Sequence, residues 1–170
     1  MHGSMPRRLA LALFVVGVLS HGVALAEGDV SVALTAYRVT MSQGKEAYVP
    51  AEQARPGEVI EYRATYKNVG KQAVNDLMAT LPVPQGLEYL PKTAQPVRLL
   101  ASVDGKNYEA VPLMRKSKGA DGKLVVREVP TSEYRWLRWP MGTLAAKGES
   151  QVRARMRVTP LEPVADASTR

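Results

Sequence analysis

The chain contains no cysteine and only two histidines. Both histidines, His2 and His21, lie in the first 26 residues, which we expect to be removed on export. Without a thiol or an imidazole, the remaining chain has no Ser-His-Asp or Cys-His nucleophile and no zinc or copper site built on His or Cys. Only carboxylate, lysine or tyrosine chemistry remains. We therefore expect no cofactor, no bound metal and no enzymatic activity.

Long apolar runs are scarce as well. The longest, residues 9–19, follows Arg7 and Arg8 and is succeeded by small residues at Ala24 and Ala26, the order of a secretory signal peptide. It is much shorter than the roughly 20 residues of a permanent transmembrane helix. We expect residues 1–26 to be cleaved and the mature protein to be periplasmic or extracellular, with no transmembrane anchor.

The basic excess is moderate. The whole chain has a formal net charge of +7, and loss of the two leader arginines leaves +5 for residues 27–170. This charge favours anionic partners but lies below the charge density of dedicated nucleic-acid binders, so no nucleic acid is expected. Residues 27–170 amount to one domain and can bury a core of their own without disulfides.

Alternation of apolar and polar residues dominates the remaining chain. In residues 59–68, Ile60 and Tyr62 fall on one face, whereas Glu61 and Arg63 fall on the other, which we expect to face solvent. Similar patterns occupy residues 73–81, 97–103, 108–113, 124–129, 134–139 and 151–158. In residues 30–41 the apolar parity shifts, which predicts a β-bulge near Ala36 or a strand that changes sheets there.

Turn residues separate these segments at intervals typical of an all-β domain. We expect an immunoglobulin-like antiparallel β-sandwich of about seven to nine strands over residues 27–159, with a closed barrel as the alternative. The polar, basic residues 115–123 are expected to form an exposed, mobile loop. Residues 160–170 are rich in Ala, Ser, Pro and Asp without a pattern and are expected to be a disordered tail.

The order of turn motifs points to a family. The matching segments are residues 56–62 (PGEVIEY), 67–70 (KNVG), 73–77, 81–82 (LP), 86–87 (GL) and Tyr89. This order resembles the bacterial conserved-repeat domain known as domain of unknown function 11, over about the first half of the mature chain. The resemblance implies an immunoglobulin-like domain of the envelope or cell surface and implies no activity. Members of the family often form tandem repeats, whereas this chain holds one unit.

Three arginines alternate along the last predicted strand. Arg153, Arg155 and Arg157 share one face, about 7 Å apart at the usual strand rise. Guanidinium groups match phosphate and carboxylate, so this arginine stripe is a candidate site for an anionic glycan, a lipid headgroup or an acidic protein patch. The alternative is a solvated outer face that discourages edge pairing.

Two tryptophans are the other candidate binding residues. Trp136 and Trp139 have opposite parity in one predicted strand, so we expect one in the core and the other at the surface. An exposed indole beside arginines suits sugar stacking or an interface. Core or corner packing is the alternative.

Acidic residues give weaker indications. Asp104 and Asp121 each precede a glycine but lack the spacing of a calcium loop, which favours turn formation. Glu58, Glu61 and Glu133 have no spacing that supports a glycosidase pair. The leading hypothesis is a non-enzymatic envelope or surface module that docks onto a protein or assembly, and the alternative is a binder of anionic glycan or lipid headgroups.

Overall fold

The computed structural model describes residues 25–27, 29–118 and 122–160. These residues form twelve strands: β1 (Leu25–Glu27), β2 (Val30–Ser42), β3 (Lys45–Pro50), β4 (Val59–Asn68), β5 (Val74–Pro82), β6 (Leu87–Tyr89), β7 (Leu100–Ser102), β8 (Glu109–Ala110), β9 (Met114–Lys118), β10 (Leu124–Glu128), β11 (Trp136–Leu144) and β12 (Glu149–Val158). Four of the twelve have only two or three residues. A single 3-10 turn, Thr131–Glu133, precedes β11.

The fold is all-β, as expected, and every pairing in the described residues is antiparallel. A first sheet has the order β1-β2-β4-β12-β6, with β3 beside the far half of β2. A second sheet has the order β5-β11-β7-β8, and β9 and β10 form a separate hairpin. No helix in these residues is both long and apolar enough to cross a bilayer.

The two sheets share one hydrophobic core. The buried face of β4 carries Ile60 and Tyr62, as the alternation predicts, and the buried face of β12 carries Val152 and Met156. The second sheet contributes residues such as Leu137 to the same cluster. The Tyr66 hydroxyl accepts a hydrogen bond from the Thr80 amide (2.9 Å) and donates one to its carbonyl oxygen (3.1 Å), which joins β4 to β5.

Asn68 explains the Asn-Val-Gly turn that ends β4. Its buried side-chain amide donates to the carbonyl oxygens of Gln72 (2.7 Å), Leu144 (3.1 Å) and Ala145 (3.1 Å), and its Oδ1 accepts from the Gly70 amide (2.9 Å). Gly70 is required for space, because a Cβ there would lie 2.5 Å from Cγ of Asp29. The Asn68 side chain therefore holds the turn together and joins it to the distant β11–β12 connection.

The prediction of a bulge or a change of sheets near Ala36 is wrong, because β2 pairs with β4 and β3 in one sheet. β2 pairs with β4 in unbroken register from Val30 to Arg38, and Ala36 is buried. The apolar residues after it do not continue the core row. Instead Tyr37 and Val39 lie on the outer face of the sheet, where the Tyr37 ring contacts the Arg63 guanidinium.

The expected loop at residues 115–123 is wrong in part. Residues 114–118 form β9, which pairs with β10 from Leu124↔Lys118 to Glu128↔Met114. Exposure was predicted correctly, since every side chain of β9 is exposed. The loop was predicted from the polar, basic composition of this segment. Two such strands can nevertheless pair in water without burying either face. Asp121 and residues 119–120 lie outside the described residues, as do the expected leader up to residue 24 and the tail from residue 161.

Candidate functional site

The outer face of the first sheet holds a compact polar cluster around Glu61, and this location was not expected. Glu61 was predicted to face solvent but is only 2% exposed. Its Oε1 accepts from Arg63 Nε (2.7 Å) and lies 2.6 Å from Arg63 Nη2, and its Oε2 accepts from Arg155 Nε (3.0 Å). The direct cross-strand pairing of Glu61 with Arg155 brings β4 and β12 charges together.

Two tyrosines enclose the Arg63 guanidinium. Its Cζ lies 4.7 Å from the ring centroid of Tyr37 and 4.7 Å from that of Tyr48. Cation–π contact with two rings, together with the Glu61 pair, holds Arg63 in place. The prediction that Arg63 is a solvated residue is therefore wrong, and the apolar parity of Tyr37 is explained by this contact.

Arg155 extends the cluster to β3. Its Nη1 and Nη2 donate to Glu46 Oε1 (2.7 Å) and Oε2 (2.6 Å), and Nη2 also donates to the Tyr48 hydroxyl (2.9 Å). The hydrogen bonds to Arg155 lower the pKa of Glu46 to about 2, and Glu46 in turn raises the pKa of Arg155. This contact crosses the two intervening strands, so it ties the β2–β3 hairpin to the middle of the sheet.

The three arginines of the stripe thus share one face, but they differ in how readily each can bind a partner. Arg155 is occupied by Glu46 and Glu61, so a partner would have to displace both. Arg153 is held loosely, with Nη1 3.7 Å from Glu61 Oε1 and a side chain 43% exposed. Arg157 is exposed at the end of the row. Among the described residues, no buried side-chain nitrogen or oxygen lacks a hydrogen-bond partner.

The two tryptophans separate as predicted. Trp139 is fully buried, and its Nε1 donates to the Pro96 carbonyl oxygen (2.8 Å), so the candidacy of Trp139 as a binding residue is wrong. Its side chain lies on the core face of β11. Trp136 is 37% exposed on the opposite face and packs over Gly105, where a Cβ would come 2.8 Å from its Nε1. Only Trp136 can contact a partner.

The acidic residues have structural roles. Asp104 shapes the β7–β8 connection: its Oδ1 accepts from the amides of Lys106 and Asn107 (both 2.8 Å), and these bonds lower its pKa. Glu58 accepts from Arg38 and from the Arg55 amide. The described part of the chain contains no group of three acidic side chains placed to hold a metal ion.

Two cavities flank the segment that follows β6. An apolar groove of about 460 Å³ is walled by residues that include Tyr89, Ala94, Val97, Leu99, Val111 and Pro112. A polar pocket of about 230 Å³ lies on the outer face of the first sheet and is lined by Glu61, Lys92, Thr93, Gln95, Arg153 and Arg155. Lys92 borders both cavities.

Sequence reasoning missed both cavities and most of the polar cluster. Tyr37, Tyr48 and Lys92 were not singled out, because their neighbours come from distant parts of the chain. One signal was available: Glu46 and Tyr48 share one face of β3, just as the arginines share one face of β12. A carboxylate on one strand and guanidinium groups on the other indicate an outer face that carries both signs of charge.

Comparisons with known proteins give no further assignment. The sequence matches no protein-family model, and it has no significant match among curated proteins or solved structures.

Proposed function

We propose that this chain is an exported, non-enzymatic module with an immunoglobulin-like β-sandwich fold, of the kind its turn motifs resemble, and that it binds a protein of the cell envelope or surface. Two antiparallel sheets around one core support this fold. The chemistry of the outer face also favours binding over catalysis, because the most buried carboxylate, Glu61, is neutralised by arginines rather than directed at a reaction centre.

The observation that carries the proposal is the apolar groove. Its volume of about 460 Å³ is in the range of ligand pockets, and Val97 at its rim is 79% exposed. Glu128 of β10 also lines it, and strand alternation places Val126 and Leu124 on the same face of β10 as Glu128. These two side chains are 54% and 71% exposed, so they extend the apolar surface beyond the groove.

The charged side chains around the groove indicate the charge of the partner. Lys92 lines the groove, and Lys116 and Lys118 of β9 stand directly opposite Val126 and Leu124. Glu128 is the one acidic side chain among the described residues that line the groove. A protein segment that carries apolar side chains next to Asp or Glu fits this arrangement, since the apolar groups fill the groove and the carboxylates meet the lysines.

Selection of random peptides on the purified protein tests the proposal. We expect enriched peptides to combine Leu, Ile, Val, Phe or Met with Asp or Glu. Val97→Asp should weaken their binding at least tenfold, because it removes an apolar contact and repels the acidic segment. Met78→Asp is the matched control, since Met78 is 51% exposed on β5 and does not line the groove. Absence of enrichment, or equal binding by the Val97 variant, contradicts the proposal.

A further inference from the structure

The polar pocket on the outer face has a defined wall. The backbone of Gln95 pairs with that of Arg153 through two 2.8 Å hydrogen bonds, which place residues 92–95 beside β12. The Thr93 hydroxyl donates to the Leu90 carbonyl oxygen (2.7 Å) and accepts from the Arg155 amide (3.0 Å). The Glu61–Arg155 pair closes the inner side. These groups are fixed before any ligand arrives.

Arg153 and Lys92 supply the adaptable charge at the rim. Arg153 is 43% exposed and lies 3.7 Å from a Glu61 oxygen that already accepts the short contacts from Arg63. Lys92 is exposed, and so is Gln95, whose side chain adds an amide. The pocket therefore offers a guanidinium fork, an ammonium and an amide around a volume of about 230 Å³.

The groups that line the pocket indicate which anion it takes. A guanidinium fork matches a carboxylate through two parallel hydrogen bonds. Three cations and one carboxylate line the pocket, so charge alone attracts phosphate as well as carboxylates, and the hydroxyls of a ligand make the difference. The Gln95 side-chain amide also forms hydrogen bonds with hydroxyl groups. A ligand with one carboxylate and several hydroxyls uses all of these groups.

We propose that this pocket binds a uronate residue of an acidic polysaccharide, with its carboxylate on Arg153 and Lys92 and its hydroxyls towards Gln95. The site is distinct from the peptide groove although Lys92 borders both, because it faces the other side of residues 91–95 and uses Arg153 and Gln95, which do not line the groove. Of the three arginines in the stripe, the proposal assigns contact with the ligand carboxylate to Arg153 alone.

Titration with trigalacturonate tests the site, with neutral maltotriose, inorganic phosphate and vesicles containing phosphatidylglycerol as comparison probes. At physiological salt we expect trigalacturonate to bind at least tenfold more tightly than maltotriose or phosphate, and to shift the NMR amide signals of residues 92–95 and 153. Arg153→Gln should lower the affinity about tenfold or more, because it removes a charge-assisted bidentate contact.

Arg157→Gln is the matched control. Arg157 follows Arg153 and Arg155 on the same face of β12 and does not line the pocket, so this variant should bind trigalacturonate like the parent. Melting curves confirm that both variants fold. The proposal is overturned by an unchanged affinity of Arg153→Gln, by an equal loss in Arg157→Gln, by equal binding of phosphate or the vesicles, or by no binding of trigalacturonate. Val97→Asp should not affect this titration. A negative result for the polar pocket can therefore be told apart from a negative result for peptide binding in the groove.

Discussion

The outer face of the first sheet and the apolar groove make opposite use of exposed positions. On the outer face, charged side chains are numerous, but Glu61, Arg63 and Arg155 satisfy one another. At the groove, Val97 and the nearby Leu124 remain largely exposed. A high charge density in the sequence therefore does not identify the surface available to a partner. Availability depends on which side chains lack a partner within the fold.

The same contrast applies to stability. The polar cluster joins β2, β3, β4 and β12, and its contacts at the buried Glu61 contribute more than exposed ion pairs do. The rim of the groove contributes little to the core, because its side chains remain in water in the folded state. We expect substitutions in the cluster to alter folding and substitutions at the rim to alter binding.

Glu61→Ala should give the largest effect on stability. Removing this carboxylate leaves Arg63 and Arg155 without their shared partner, and we expect a loss of about 2 to 3 kcal/mol in the free energy of unfolding. Glu128→Ala at the groove is the control and should change stability by less than about 0.5 kcal/mol. Urea denaturation measures both. Similar midpoints for the two variants would remove the distinction between the surfaces.

Arg63→Lys should have an intermediate effect. Lysine keeps the charge but loses the planar group that stacks between Tyr37 and Tyr48, and we expect a loss of about 1 kcal/mol. The comparison is Arg127→Lys on the exposed β10, which should be neutral within about 0.5 kcal/mol. Thermal and urea denaturation provide the readout. A neutral Arg63→Lys would mean that charge alone, without stacking, holds the residue.

Glu46→Gln should have a smaller, pH-dependent effect. The pKa of Glu46 is lowered from 4.5 to about 2 by its bonds to Arg155, so the ionised form stabilises the fold above pH 4.5. This contribution should fall as the pH drops from 4.5 towards 2. Melting temperatures of the parent and the variant at pH 7, 4.5, 3 and 2 should therefore converge at the acid end. A difference that persists at pH 2 would argue against the ion pair as its source.

Replacing both Leu124 and Val126 with Ser should have the smallest effect on stability, a change of less than about 0.5 kcal/mol for each site. Both side chains are mostly exposed on β10, so their removal takes little apolar area out of the core. Urea denaturation checks this. A marked loss would show that the hairpin packs against the rest of the molecule more closely than its exposure indicates.

The inner faces of the strands were readable from the sequence, and the outer cluster was not. Alternation placed Tyr62 and Val152 in the core correctly because the core is the largest apolar environment in the molecule. It misassigned Glu61, because parity shows which residues share a face but not what covers that face. Arg63 and Arg155 cover Glu61, and Arg155 lies on a strand that only the sheet order brings near.

The site was predictable to a similar limited degree. The spacing of Arg153, Arg155 and Arg157 correctly gives a shared face. It does not show that Arg155 is bound by Glu46, which lies 109 residues earlier, or that Lys92 and Gln95 complete a pocket at Arg153. Pairing over such distances is fixed by the fold as a whole and leaves no local pattern.

The clamp made by Asn68 bears on how the chain folds. Two of its acceptor carbonyls, on Leu144 and Ala145, lie 76 and 77 residues further along, so forming these bonds closes very long loops. Until the β11–β12 connection has docked, the buried amide lacks those two acceptors, and any fragment that ends before Leu144 lacks them as well. The turn chemistry of the first half is therefore completed only when the connection between the last two strands is in place.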